Sequence, residues 1–599
     1  MAWLRKMFHI ALVLTLFACS APEQHGKENP PALASTVSKD DEIPAPPKQP
    51  ASSAHTEYDV LAKEDHPSKS KAEPERRMRE EQLLLSKSAA GARRGIRPMV
   101  AAPAPALDAG GFSRYSPLPE NTEKYQHLAQ HSVQLVSEHP VSTFSIDVDT
   151  GSYANVRRFL NDGQLPPADA VRVEELINYF PYAYSGPSNH EPFAVHTEIS
   201  VTPWNSDTHL LRIAIKGKDM AKESLPPANL VFLIDVSGSM DEPNKLPLLK
   251  SALTLFTREL RAQDKASMVV YAGASGLVLE PTSGEHQGKI LAALERLSAG
   301  GSTHGAAGIE LAYRVAQQAY IPGGINRVLL ATDGDFNVGV TNFEALKNLI
   351  EQKRKTGVSL STLGFGTGNY NDQLMEQLAD AGNGNYGYID TLNEARKALV
   401  EEFTSTLATI AKDVKIQVEF NPATVAEYRL IGYENRALNR EDFNNDKVDA
   451  GEIGAGHTVT ALYEIRLHGE GKSLIDPLRY QPGNQRPSRT DEVALLRLRH
   501  KTPEGSDSKL METAIRMQDD RKNIEIASPE FRFAVAVAAF GQELKGGKYL
   551  GKYGYEDIHR LAKSAASEDR FGYRKEFLDL VRTARALAAN TESRMELAQ

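Results

Sequence analysis

Residues 229–235, NLVFLID, carry five apolar side chains, Leu230 to Ile234, straight into a carboxylate, and two hydroxyls follow at alternate positions: Asp235, Ser237 and Ser239. One carboxylate and two hydroxyls are hard oxygen donors, suited to Mg²⁺, Mn²⁺ or Ca²⁺ rather than to Zn²⁺. Alternation through a strand end and the turn beyond it can aim all three to one side, and Gly238 lets the backbone bend there. A second carboxylate stands in the same kind of place, Asp333 at the end of RVLLATD. Between the two lies SAGGSTHGAAGIELAY, where a glycine pair precedes Ser302 and Thr303 just ahead of a predicted helix.

Such side chains meet only if the elements behind them converge. From 228 to 408, strands are expected at NLVFLID, ASMVVYA, RVLLATD, VSLSTLGFG and YGYID. Helices are expected near 245–262, 287–297, 306–319, 342–356, 371–381 and 393–408. Apolar strands alternating with helices predict an α/β unit with a mostly parallel, doubly wound sheet. In such a sheet ligands bind in the crevice beyond the carboxyl ends of the strands, where Asp235 and Asp333 stand.

The flanks read differently. FAVHTEISVTPWNSDTHLLRIAIKG has period two on both sides of a turn, a hairpin signal, and period two returns in DVKIQVEF, AEYRLIGY, HTVTALYEI and VALLRLRHK. The hairpin and the later strands are expected to form one β-sandwich into which the α/β unit is inserted. Ahead of them, HPVSTFSIDVDTGSYANVRRFLN predicts a short strand and a helix from about Ser152, with a second helix near Val171–Phe180. The last hundred residues read as helical through SDSKLMETAIRMQ, SPEFRFAVAVAAFGQEL, EDIHRLAKSAA and FGYRKEFLDLVRTARALAA. The second of these, apolar on most faces, predicts a core helix too short to cross a membrane.

The N-terminus, MAWLRKMFHIALVLTLFACS, has Arg5 and Lys6 before an apolar stretch, the form of a secretory signal. It resembles a bacterial lipoprotein signal, the lipobox being Leu16-Phe17-Ala18-Cys19. The resemblance implies cleavage before Cys19 and lipidation there, and Ser20 implies an outer-membrane address in a two-membrane bacterium. Cys19 is the only cysteine among 599 residues, so no intramolecular disulfide is possible. The Pro-, Ala- and Ser-rich stretch to about 118 has the composition of a disordered tether. A net charge of −9 argues against a nucleic-acid partner.

DVSGSM, GGST and TDG, in this order within an α/β unit, resemble the von Willebrand factor type A (VWA) domain and its metal-ion-dependent adhesion site. The resemblance implies Asp235, Ser237, Ser239, Thr303 and Asp333 as the metal set, with Mg²⁺ the expected ion and Mn²⁺ or Ca²⁺ open. Thr303 is preferred to Ser302 because the small-residue helix (Gly308, Ile309) begins at the spacing the family shows after its threonine. Simple capping of helices and loops is the plain alternative for these residue types, but two acidic strand ends and three hydroxyls in matched order argue against it. More widely, STFSIDVDTGSYANVRRFL, TDGDFNVG and the long C-terminal extension resemble the bacterial VWA lipoproteins of the YfbK type. The expected organisation is a signal peptide over 1–18, a tether over 19–118, an α/β segment over 119–190, a β-hairpin over 191–227, the VWA domain over 228–408, a β-rich domain over 409–505 and a helical region over 506–599.

Hydroxyl donors bring no charge, so a dication held mainly by Ser237, Ser239 and Thr303 stays electron-poor, and a vacant position favours an incoming carboxylate. The expectation is a lipid-anchored envelope protein that captures a Glu or Asp side chain of a protein partner, with no catalytic residue. Two alternatives stand beside it: an envelope assembly factor with a purely structural metal, and a metal-dependent hydrolase. Asp335 reads as a solvated loop acid and His304 as an exposed side chain. SIDVDTGSY approaches the aspartyl-phosphate phosphatase pattern Asp-x-Asp-x-Thr/Val but has Gly151 where that pattern needs Thr or Val. GGKYLGKYG lacks the spacing of a phosphate-binding loop, and lipidation of Cys19 leaves no thiol for catalysis.

Overall fold

The computed structural model describes residues 122–598 apart from 189–190, 302–304, 335–342, 449, 476–490, 504, 518–519, 522 and 566–567. The expected signal peptide, Cys19 and the whole of the tether, together with Thr303, His304 and Asp335, lie outside the described residues.

Strand Ala228–Asp235 is buried at all eight positions, which is why its sequence is apolar without alternation. It pairs in parallel with Lys265–Tyr271 on one side and Ile325–Thr332 on the other. Ser359–Phe365 and Tyr386–Ile389 extend the sheet in parallel beyond Ile325–Thr332. The opposite edge is Ser275–Ser283, antiparallel to Lys265–Tyr271. Helices cover both faces. Leu230, Phe232 and Ile234 pack with Leu249, Leu253, Phe256 and Ile290, whereas Val231 and Leu233 pack with Ile309, Tyr313 and Ile350. Gly308, in helix Gly305–Gln318, lies so close to the sheet that a Cβ there would sit 2.9 Å from Cβ of Tyr271.

The hairpin Phe193–Thr202 and Asn205–Gly217 joins strands from far down the chain. Asn205–Gly217 pairs antiparallel with Thr458–Leu467, Lys216 facing Thr458 and Ile213 facing Ala461, and Thr458–Leu467 pairs with Val425–Ile431. A second sheet centres on Thr409–Phe420, flanked by Glu492–Lys501 and Val141–Ser145. Leu211, Ile213 and Ile215 of the first sheet meet Ile416, Val418, Leu496 and Leu498 of the second in one core. The α/β unit is therefore inserted between Asn205–Gly217 of one sheet and Thr409–Phe420 of the other sheet of a β-sandwich.

Helix Pro529–Leu544 has Ser528 as its N-cap, the hydroxyl accepting from N–H of Phe531 at 3.2 Å, and buries eleven of its residues. It packs with Gly151–Asn161, Val173–Asn178, Tyr555–Ser564 and Tyr573–Ala598, and with Leu210, Ile431 and Leu462 on the outer face of the larger sheet. No helix among the described residues is long and apolar enough to cross a membrane.

One segment departs from its predicted state. SDSKLMETAIRMQ, expected as helix, is largely the strand Ser508–Arg516, paired antiparallel with Glu492–Lys501 from Lys501 opposite Ser508 to Glu492 opposite Arg516. Leu510, Met511, Ala514 and Ile515 fit a helical stripe, but the free edge of Glu492–Lys501 offers a backbone ladder, and tertiary pairing overrides so short a local preference.

Candidate metal centre at the carboxyl ends of the sheet

Register brings the two acidic strand ends side by side. Ile234 faces Ala331 across the central parallel pair, so Asp235 and Thr332–Asp333 emerge together at the top of the sheet. Asp235 and Asp333 are fully buried, Ser237 is buried and Ser239 is half-buried. The Asp235 carboxylate is held at both oxygens, Oδ1 accepting from the Ser237 N–H and Oδ2 from the Thr332 hydroxyl, each at 2.9 Å. The Thr332 hydroxyl also accepts from the Gly334 N–H at 3.2 Å, so one side chain ties the two strand ends together. Ser237 Oγ and Ser239 Oγ lie 3.1 Å apart, bringing two neutral donors to one point. Burial raises the carboxyl of Asp235 above its ordinary range. The hydrogen bonds from Ser237 and Thr332 oppose that shift and the charge of Asp333 adds to it. Tyr271, beside Asp235 and Thr332, has its phenol pushed up by burial first and by Asp235 second.

The loop that carries Thr303 is fastened to the first motif on its near side. Gly238 N–H donates to Gly301 O at 3.0 Å and Gly300 N–H to Val236 O at 2.8 Å, while helix Gly305–Gln318 begins just beyond. Four of the five expected residues, Asp235, Ser237, Ser239 and Asp333, are thus gathered at one end of the sheet.

Three further residues belong to this site and gave no signal in the sequence. Lys245, almost completely buried, directs Nζ at Asp333 Oδ2 from 3.2 Å, and Asn369 Nδ2 donates to the same oxygen at 3.2 Å. The lysine stem lies along bare backbone: a Cβ at Gly366, which has φ +79°, would stand 2.3 Å from Lys245 Cε. Glycine is required there both by its left-handed conformation and by this crossing. The third is Thr332, whose position before Asp333 gave no hint that it would clamp Asp235. With two carboxylates, two converging hydroxyls and no sulfur or imidazole among the described residues named here, the donor set fits a hard divalent ion.

The chain's likeness to known proteins follows the same segments. Residues 119–212 match a family model described as von Willebrand factor, 230–335 match the von Willebrand factor type A domain, and 405–587 match the C-terminal region of the uncharacterized protein YfbK. YfbK of Escherichia coli K12 is 50% identical over 472 residues, 77% of this chain and 81% of that protein. This chain belongs to the YfbK family. The uncharacterized protein sll0103 of Synechocystis is 30% identical over 186 residues, 31% of this chain and 43% of its own length. A solved von Willebrand factor type A protein from Catenulispora acidiphila aligns with a TM-score of 0.39 at 16% identity, over 64% of this chain and 88% of its own. The YfbK family thus carries a VWA domain, a fold that generally serves protein interaction and adhesion and is generally non-catalytic. Such domains commonly bind a divalent metal at the adhesion site.

Proposed function

We propose that this YfbK-family protein is a lipid-anchored binding protein of the bacterial envelope that captures an acidic side chain of a protein partner through a divalent cation. Asp235, Ser237, Ser239, Asp333 and Thr303 would hold the ion, most simply Mg²⁺. The ion supplies a Lewis-acidic position for an outside carboxylate, and the protein's own residues fix its place and keep its charge only partly compensated. The observation that carries this reading is the convergence of Ser237 Oγ and Ser239 Oγ, 3.1 Å apart, beside two buried carboxylates at adjacent strand ends. Cys19 would attach the chain to a membrane, with the outer membrane the address that Ser20 favours.

A structural role for the metal competes with this reading, because both Asp235 oxygens are already engaged and tie two strands together. Calorimetric titration of the purified protein with Mg²⁺, Mn²⁺ and Ca²⁺, then capture from envelope extract with and without EDTA, separates the two. Adhesion predicts EDTA-sensitive capture that Asp235→Asn abolishes while the protein stays folded. Loss of folding in that variant favours the structural role, and no uptake of any of the three ions refutes both.

A further inference from the structure

The opposite end of the same sheet holds a cavity of about 230 Å³. It lies where the amino-terminal ends of the α/β strands meet the sandwich and the segment around Asp147, and it owes nothing to the adhesion site. A volume of 10–15 Å³ accommodates one water, so this space admits a small molecule.

Its walls make two opposite and unmet demands. On the α/β side is Arg327, 4% exposed, near the start of strand Ile325–Thr332. Its Nη1 donates to two neutral oxygens, Ser361 Oγ at 2.8 Å and Asn385 Oδ1 at 3.1 Å, and its Nε has no partner. None of its ion-pair contacts reaches a described carboxylate within 4.0 Å, and burial pushes this guanidinium down from its usual range, with only the field of Glu452 opposing. A buried guanidinium without an anion is costly.

On the other side the excess is negative. Oxygens of Asp147, Asp149 and Asp380 lie within 4.8 Å of one another. The cation among them is Arg436, which reaches Asp149 at 2.9 Å, Asp380 at 3.0 Å, Glu376 at 3.1 Å and Asp147 at 3.3 Å. Arg172 adds only a 3.7 Å approach to Glu376. Four carboxylates around one guanidinium leave a surplus, and burial accordingly raises Asp147 and Glu376 to about 7. Asn435, which lines the same space, donates to Glu376 but leaves its buried Oδ1 without a donor.

The cavity therefore has a guanidinium without a described carboxylate within 4.0 Å on one wall and an acidic cluster on the other. We propose that it binds a small zwitterion of α-amino-acid type, its carboxylate on Arg327 and its ammonium against Asp147 and Asp380. A lone anion would satisfy Arg327 but face the acids, and a lone cation would do the reverse. Because the two walls belong to different parts of the chain, the occupant would also fasten the α/β unit to its host.

The test is calorimetric titration and thermal melting of the full-length protein with the common α-amino acids as probes. Acetate and ethylamine serve as single-ended controls. At least one amino acid should bind and raise Tm while neither control does. Arg327→Met and Asp380→Asn should each weaken that binding about tenfold or more, and Asp235→Asn should leave it unchanged. Asp380, whose side chain is 38% exposed, keeps the test open if the arginine variant fails to fold. Failure of every amino acid to bind at millimolar concentration overturns the proposal. So does acetate or ethylamine binding as tightly as the amino acids, or full affinity in Asp380→Asn.

Discussion

The two ends of the α/β sheet are built on opposite electrostatic plans. At the carboxyl ends, few charges are present and most are individually fastened: Asp235 by Ser237 and Thr332, Asp333 by Lys245 and Asn369. At the amino ends, charges are many and shared, with Arg436 serving Asp147, Asp149, Glu376 and Asp380 at once. The first end comes from short motifs within one domain. The second exists only because the α/β unit is docked against its host. A local site can be kept simple by hydroxyls, which add no charge, whereas a junction assembled from distant segments depends on one guanidinium to hold its acids together.

The largest effect that would expose this contrast is at Arg436. Arg436→Met strands four carboxylates, two of them, Asp149 and Glu376, buried, and chemical denaturation should show a loss of about 3–5 kcal/mol. An unchanged midpoint would mean that the acids are already neutral. Next is Asp235→Asn, which keeps the shape but removes the charge and turns one of the two accepting oxygens into a donor. Dication affinity by calorimetry should fall about 100-fold while Tm stays close to wild type. The third is Lys245→Met, which takes the buried ammonium away from Asp333. Without metal the protein should lose about 1–3 kcal/mol, and added Mg²⁺ should restore part of it, because the dication then meets no competing ammonium.

The smallest effect is in pH. Asp147 and Glu376 are raised to about 7, so the folded state keeps protons that the unfolded chain releases near pH 4. Their contribution to stability is therefore present at low pH and lost as pH rises from about 4 through about 7. Glu376→Gln should flatten this slope by on the order of 1 kcal/mol, measured as denaturation midpoints at pH 5 and pH 8 in metal-free buffer.

Much of the α/β unit was legible in its pattern, because strands buried on both faces must be continuously apolar and their helices must punctuate them. Asp235, Ser237, Ser239 and Asp333 could be read for a related reason: strand ends are the places where a buried run turns abruptly polar. The edge strand Ser275–Ser283 was not, since its buried and exposed positions follow no clean alternation. Ser508–Arg516 was misread because its pairing partner, and not its own sequence, decides its state. Lys245 could not be placed from sequence, since a lysine is ordinarily solvated and only the bare backbone at Gly366 reveals where this one goes. Arg327 was equally silent, and the SIDVD acids suggested only a phosphatase pattern that Gly151 breaks. Their meaning lies in a meeting of segments that no spacing along the chain encodes.

The insertion of the α/β unit into the sandwich also bears on how the molecule comes together. Lys216 and Thr458 face each other although about 240 residues of chain separate them. Joining them directly would require closing a very long loop against chain entropy, whereas an insert that has already folded removes residues 228–408 from that loop, leaving about 12 residues before it and about 50 after it to be closed. The sandwich thus depends on its guest for timing. A lesion in strand Ala228–Asp235 should slow the assembly of a host that it barely touches.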